Sequence, residues 1–97
     1  MLFEWDESKR QANLAKHLVD FQDATRIFDG PVFERPGGRH GEDRVFAIGL
    51  MEGIEIVVVY VMRGTRRRII SARRAHRDER KEYANHLRDA GQGSYGL

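Results

Sequence analysis

The chain has 97 residues, 40% of them hydrophobic, enough for one folded domain with a core of modest size and too apolar for a disordered chain. It contains no cysteine, which excludes a disulfide framework, thiol chemistry and thiolate metal sites. The formal net charge of +2 hides a division: residues 1–62 hold seven Lys/Arg against eleven Asp/Glu, whereas residues 63–81 hold nine against two, a basic stretch that suits a polyanionic partner such as phosphate.

Leu2 to Trp5 reads as a short edge strand, with Asp6 as the N-cap of a helix over 7–18. At 100° per residue Leu14, Ala15 and Leu18 share one face of that helix, and Lys9, Asn13, Lys16 and His17 the opposite one. Asp20 caps a second helix to about residue 28, with Phe21, Ala24 and Phe28 as its buried stripe. Asp29-Gly30-Pro31 ends it.

The period then changes to two. Val32 to Arg35 is a short strand, Pro36 to Asp43 a flexible loop, and Arg44 to Leu50 the next strand. Ile54 to Arg63, continuous in Val and Ile, is the central strand and is expected to be covered on both faces. Gly64-Thr65 turns the chain into a strand over 66–73, and residues 76–89 form the last helix. The Gly-rich tail over 91–97 is expected to fray. The order β-α-α-β-β-β-β-α implies an α+β domain over 2–90, an antiparallel sheet with the helices against one face. The longest apolar run, Ile56 to Met62, is seven residues, against roughly 20 for a membrane span. The acidic N-terminus does not resemble a secretory signal, so a soluble cytoplasmic protein is expected.

Strict alternation places Ile69, Ser71 and Arg73 on one face of the fifth strand, with Arg68, Ile70 and Ala72 on the other. Arg63 and Arg68 flank the Gly64-Thr65 turn. Guanidiniums suit phosphate because their planar fork donates two parallel hydrogen bonds. The plainer reading of the run is a solvated basic surface. On the last helix Tyr83, one turn from Arg80, suits either the edge of the core or a base-stacking surface. The Lys9, Lys16 and His17 stripe suits either an exposed helix face or proton transfer, histidine being a common general base or acid. His40 and His76 stand apart from one another, so neither a metal nor a cofactor is expected.

These residues resemble the BrnT toxins. Phe3-Glu4-Trp5-Asp6, Lys9, Asn13, Lys16-His17, Val19-Asp20-Phe21, Ala24, Phe28-Asp29 and Pro31 match the family's opening. Asp43-Arg44, Gly49, Val57 to Tyr60, Arg63-Gly64, Arg68-Ile69-Ile70-Ser71-Ala72-Arg73, Ala75, Glu79-Arg80 and Tyr83 continue it in order. The resemblance implies a RelE-like fold and metal-independent RNA cleavage that blocks translation. It also implies neutralisation by a BrnA-like ribbon-helix-helix antitoxin, two toxins with two antitoxins, and operator DNA reached only through that antitoxin. On this view Lys9, Lys16, His17, Arg63, Ser71 and Arg73 form the catalytic set, and Arg68, Arg80 and Tyr83 bind RNA. The family has glycine where this chain has Leu18, so the loop between the helices is expected to differ. A non-enzymatic basic module that binds nucleic acid or a protein, or a degenerate toxin kept for operon repression, fits the same charge asymmetry.

Overall fold

The computed structural model describes residues 2–37 and 43–93. Strand β1 (Leu2–Glu4) leads into helix α1 (Glu7–His17), short helix α2 (Phe21–Ala24) and a 3-10 turn over Thr25–Asp29. Strands β2 (Phe33–Pro36), β3 (Val45–Met51), β4 (Ile54–Arg63) and β5 (Arg66–Arg74) follow, then helix α3 (Arg77–Gly93). Residues 38–42, with His40 and most of the expected loop, and residues 94–97 of the expected tail lie outside the described residues. Residues 91–93 continue α3 rather than leaving it.

Local chemistry sets these boundaries. The Asp6 carboxylate accepts from the Ser8 and Lys9 amides at 2.8 and 3.3 Å, and Asp20 accepts from the Gln22 amide at 3.0 Å, satisfying donors that each helix start leaves free. Arg10 binds Asp20 through two hydrogen bonds of 2.8 and 2.9 Å and so fixes the angle between α1 and α2. Leu18 ends α1 with φ 60° and ψ 25°, its amide donating to the Leu14 carbonyl. The leucine itself takes the left-handed conformation that glycine adopts more readily.

The sheet has the order β1-β5-β4-β3-β2. Three pairings are antiparallel, but β1 runs parallel to β5, Leu2 opposite Arg66 and Glu4 opposite Arg68. The sheet is mixed rather than antiparallel. Short turns join β3 to β4 and β4 to β5, whereas α1 and α2 carry the chain from β1 across to the far edge.

Helices also cover both faces, not one. Phe21, Ala24 and Ile27 pack with Val19 on Ala47, Ile56, Val58, Tyr60, Ile69 and Ala72. Tyr83 and Ala75 close over Ile48, Val57 and Val59 on the other side, with Phe33, Phe46, Ile70 and Leu87 around them. Each large aliphatic side chain so buried stabilises the fold by about 1.5–3 kcal/mol. Gly49 permits the closest helix–sheet approach: a Cβ there would lie 2.7 Å from Ile27 Cβ and 3.2 Å from its carbonyl oxygen.

Strand β5 does not keep strict alternation. Ser71 pairs with Val59 and Ile69 with Tyr60, so Ile70 is an extra residue, a β-bulge. Ile69 and Ala72, three apart, both enter the α1–α2 core, while Ile70 packs with the α3 core. The expected grouping of Ile69 with Ser71 and Arg73, and of Ile70 with Ala72, is thereby overturned: Ser71 and Arg73 lie opposite Val59 and Val57, two residues of the α3-side core or its margin.

Candidate active site

The bulge sits beside the end of β1, where β5 loses its strand partner. There the Asn13 side chain takes over the edge. Its Nδ2 donates to the Ala72 carbonyl at 2.8 Å and to the Val19 carbonyl at 2.9 Å, and its Oδ1 accepts from the Ala72 amide at 3.2 Å. An amide has the donor and acceptor needed to imitate a strand backbone. Buried Asn13 thus clamps α1 along β5, with Lys9 and Lys16, one turn on either side of it, placed against the bulge.

Two adjoining hollows result. One is lined by Lys9, Lys16, His17, Ile70 and Ser71. The other is lined by Lys9, Asp43, Arg44, Arg63, Arg68 and Ile70. Lys9 and Ile70 belong to both, so the structure brings Lys9, Lys16, His17, Arg63, Arg68 and Ser71 onto one continuous concave surface. Lys9, Lys16 and Arg63 are exposed, and His17, Ser71 and Arg68 are half-buried. Arg68 is held from the β1 side by Glu4 at 2.6 Å.

Arg73, Arg80 and Tyr83 do not line this surface. Arg73 forms two hydrogen bonds with Glu79, Nη1 to Oε1 at 2.7 Å and Nη2 to Oε2 at 2.9 Å, and its side chain is 19% exposed. The same Glu79 accepts from the His76 amide at 2.7 Å, the carboxylate half of a capping box that starts α3. Arg73 first, then the His76 amide, hold the Glu79 carboxyl at a pKa of about 2 against the opposing effect of burial. Arg80 donates to the Ala75 carbonyl at 3.0 Å, in a separate hollow with Ile54, Glu55 and Arg74. Tyr83 is 2% exposed; its hydroxyl donates to the Pro31 carbonyl at 2.8 Å, and burial raises its pKa. No face of its ring is open to a base.

The basic run is thus divided in use. Arg67 lies over the rings of Phe28 and Tyr60 at 4.5 and 5.1 Å, a structural cation–π contact. Arg63 and Arg68 line the hollow, and Arg73, outside it, is taken up by Glu79. Four residues at the surface were missed on the sequence: Asn13 as the clamp, Glu4 as the partner of Arg68, and Arg44 with Asp43 at the rim. Their signals were membership of the quoted motifs and, for Asn13, its place on the polar stripe of the first helix. Among the described residues no group of three or more His, Cys, Asp or Glu side chains comes together as a metal site would require.

The arrangement sets several cations and one imidazole around a concave floor. Such a surface binds phosphodiesters and stabilises charge that develops on a phosphorus centre. Comparison with known proteins agrees in kind. The model of the ribonuclease toxin BrnT of type II toxin–antitoxin systems matches residues 5–79. The 1.1 Å crystal structure of the Brucella abortus ribonuclease toxin BrnT is similar, with a TM-score of 0.61 and 35% identity over 79% of this chain and all of that one. A comparison with curated protein sequences finds no match.

Proposed function

Because the chain belongs to the BrnT family of ribonuclease toxins from type II toxin–antitoxin systems, we propose that the concave basic surface between α1 and the β5 bulge is where it cleaves RNA. The observation that carries this reading is the clamping of the Lys9, Lys16 and His17 stripe beside Ser71, next to Arg63 and Arg68.

The reaction is metal-independent transesterification. The ribose 2′-oxygen attacks the adjacent phosphorus as its proton leaves, the P–O5′ bond breaks, and the products are a 2′,3′-cyclic phosphate and a 5′-hydroxyl. His17, with Lys16 beside it, handles the proton at the 2′-oxygen or at the departing 5′-oxygen. Lys9, Arg63 and Arg68 bind the phosphate and offset the charge that grows on the phosphorane, and the Ser71 hydroxyl orients it by hydrogen bonding. Arg73 acts indirectly: its pair with Glu79 anchors the end of β5 to α3. Arg80 and Tyr83 likewise support the frame rather than touch RNA.

The family implies an antitoxin partner. On our reading that partner is a BrnA-like ribbon-helix-helix protein joined two to two, through which alone operator DNA is reached. The toxin, a RelE-like domain over 2–90, then acts in the cytoplasm to block translation. Among the described residues no helix is long and apolar enough to cross a membrane.

RNA cleavage by the purified protein in EDTA tests the proposal. Wild type should cut, and His17→Ala should fall by about 10²–10⁴-fold with folding intact. Salt-sensitive RNA binding without cleavage would instead support a non-enzymatic basic module.

A further inference from the structure

A further groove adjoins this site. It lies where the turn after α1 meets the β3–β4 hairpin, and Leu18, Val19, Met51, Ile54 and Ile56 form its apolar lining. Leu18 is 83% exposed and Ile54 36% exposed. Leu18 holds its left-handed backbone, φ 60°, at a cost that glycine would not incur, yet its side chain buries almost nothing within this chain. Arg74 lines the groove beside the His17 imidazole, and Arg80 shares the adjoining hollow with Arg74 and Ile54. Of the carboxylates nearby, Glu55 lines that hollow, and Glu52 in the hairpin turn is taken up by Arg26 at 2.6 Å.

We propose that this groove docks an acidic amphipathic segment of the protein antitoxin, an inference that rests on the toxin reading above. Apolar side chains of the segment cover Leu18 and Ile54, and its carboxylates meet Arg74, Arg80 and His17. A protein segment suits the groove better than RNA, because five of its lining residues are aliphatic or Met and no Phe, Tyr or Trp lines it for a base to stack on. His17 lines both this groove and the active-site hollow. A carboxylate bound to it from the groove side holds the imidazole away from proton transfer, so the segment silences the enzyme without covering Arg63 or Arg68.

The test titrates the full chain with the polypeptide encoded beside it in its operon, measuring affinity for wild type, Leu18→Asn, Arg74→Glu and Leu2→Asn. Asparagine tolerates the left-handed conformation, so Leu18→Asn removes the apolar contact while keeping the turn, which a melting curve verifies. The expected result is at least tenfold weaker binding for Leu18→Asn and for Arg74→Glu, with Leu2→Asn, an exposed leucine on the β1 edge, unchanged. Undiminished affinity in both groove variants overturns the proposal. So does a loss of RNA binding with partner affinity intact, which would give the groove to nucleic acid. Absence of RNA cleavage by wild type would count against the ribonuclease reading alone, since the affinity ratios are read independently of it.

Discussion

Single residues decide how α1 meets the sheet. Asn13 was legible only as a member of a polar stripe; that it replaces a strand at the β5 edge depends on a partner 59 positions away, which no local pattern announces. Removing its amide in Asn13→Ala leaves buried backbone groups of Ala72 and Val19 unpaired, and we expect a loss of about 2–4 kcal/mol in denaturant unfolding. Cleavage should decline as well, since Lys9, Lys16 and His17 lose their anchor. Leu18 works in the opposite direction. A non-glycine residue at positive φ costs about 1–2 kcal/mol, and glycine's greater freedom in the unfolded chain returns part of that. Leu18→Gly should therefore stabilise the free protein by about 0.5–1 kcal/mol, a rise in Tm of roughly 3–6 °C. Histidine 17, by contrast, was singled out from sequence, because an imidazole between a lysine and a helix end is chemically conspicuous wherever the helix lies.

At the level of elements, β4 was readable end to end: ten residues rich in Val and Ile fill both faces of a sheet. The pairing of β1 was not, since nothing in Leu2–Glu4 distinguishes a parallel neighbour from an antiparallel one. The bulge at Ile70 was equally hidden, because Arg68 to Arg73 alternates as well with it as without it. Its consequence is that Ser71 joins the basic surface while Ala72 keeps its place in the core. Arg73 looked like a phosphate ligand for the same reason that it makes a good partner for Glu79: a guanidinium pairs bidentately with either anion. That pair has a pH signature. Glu79 is 4% exposed with its pKa depressed from 4.5 to about 2, so its stabilisation is complete above pH 4.5 and is lost as pH falls towards 2. The shift corresponds to about 3 kcal/mol. Glu79→Gln should be less stable than wild type at neutral pH, and the difference should shrink across that window in an acid titration of the unfolding midpoint.

Across the whole molecule, acids and bases are sorted by task. Several carboxylates serve as caps and anchors, Asp6, Asp20 and Glu79 among them, while Lys9, Lys16, Arg63 and Arg68 face the open surface. If these four engage single-stranded RNA, log K should fall against log salt with a slope near −3, about 60-fold between 50 and 200 mM. Lys16→Ala should reduce the slope by about 0.7, measured by fluorescence anisotropy across a salt series. The charge asymmetry that suggested a polyanion was legible in composition; which of the arginines reach it was not, since that depends on the bulge and on the Glu79 anchor.

The Asn13–Ala72 clamp also carries a consequence for the timing of synthesis. The two halves of the proposed active surface, residues 9–17 and residues 63–71, are far apart in sequence, and the hydrogen bonds that join them span 59 positions. At roughly 5–20 residues per second a ribosome needs about 3–12 seconds to make the second half after the first. Throughout that interval the nascent polypeptide carries its lysines and histidine without the strand that aims them. On the proposed function, the surface that cleaves RNA is thus incomplete until β5 has been made and folded against α1.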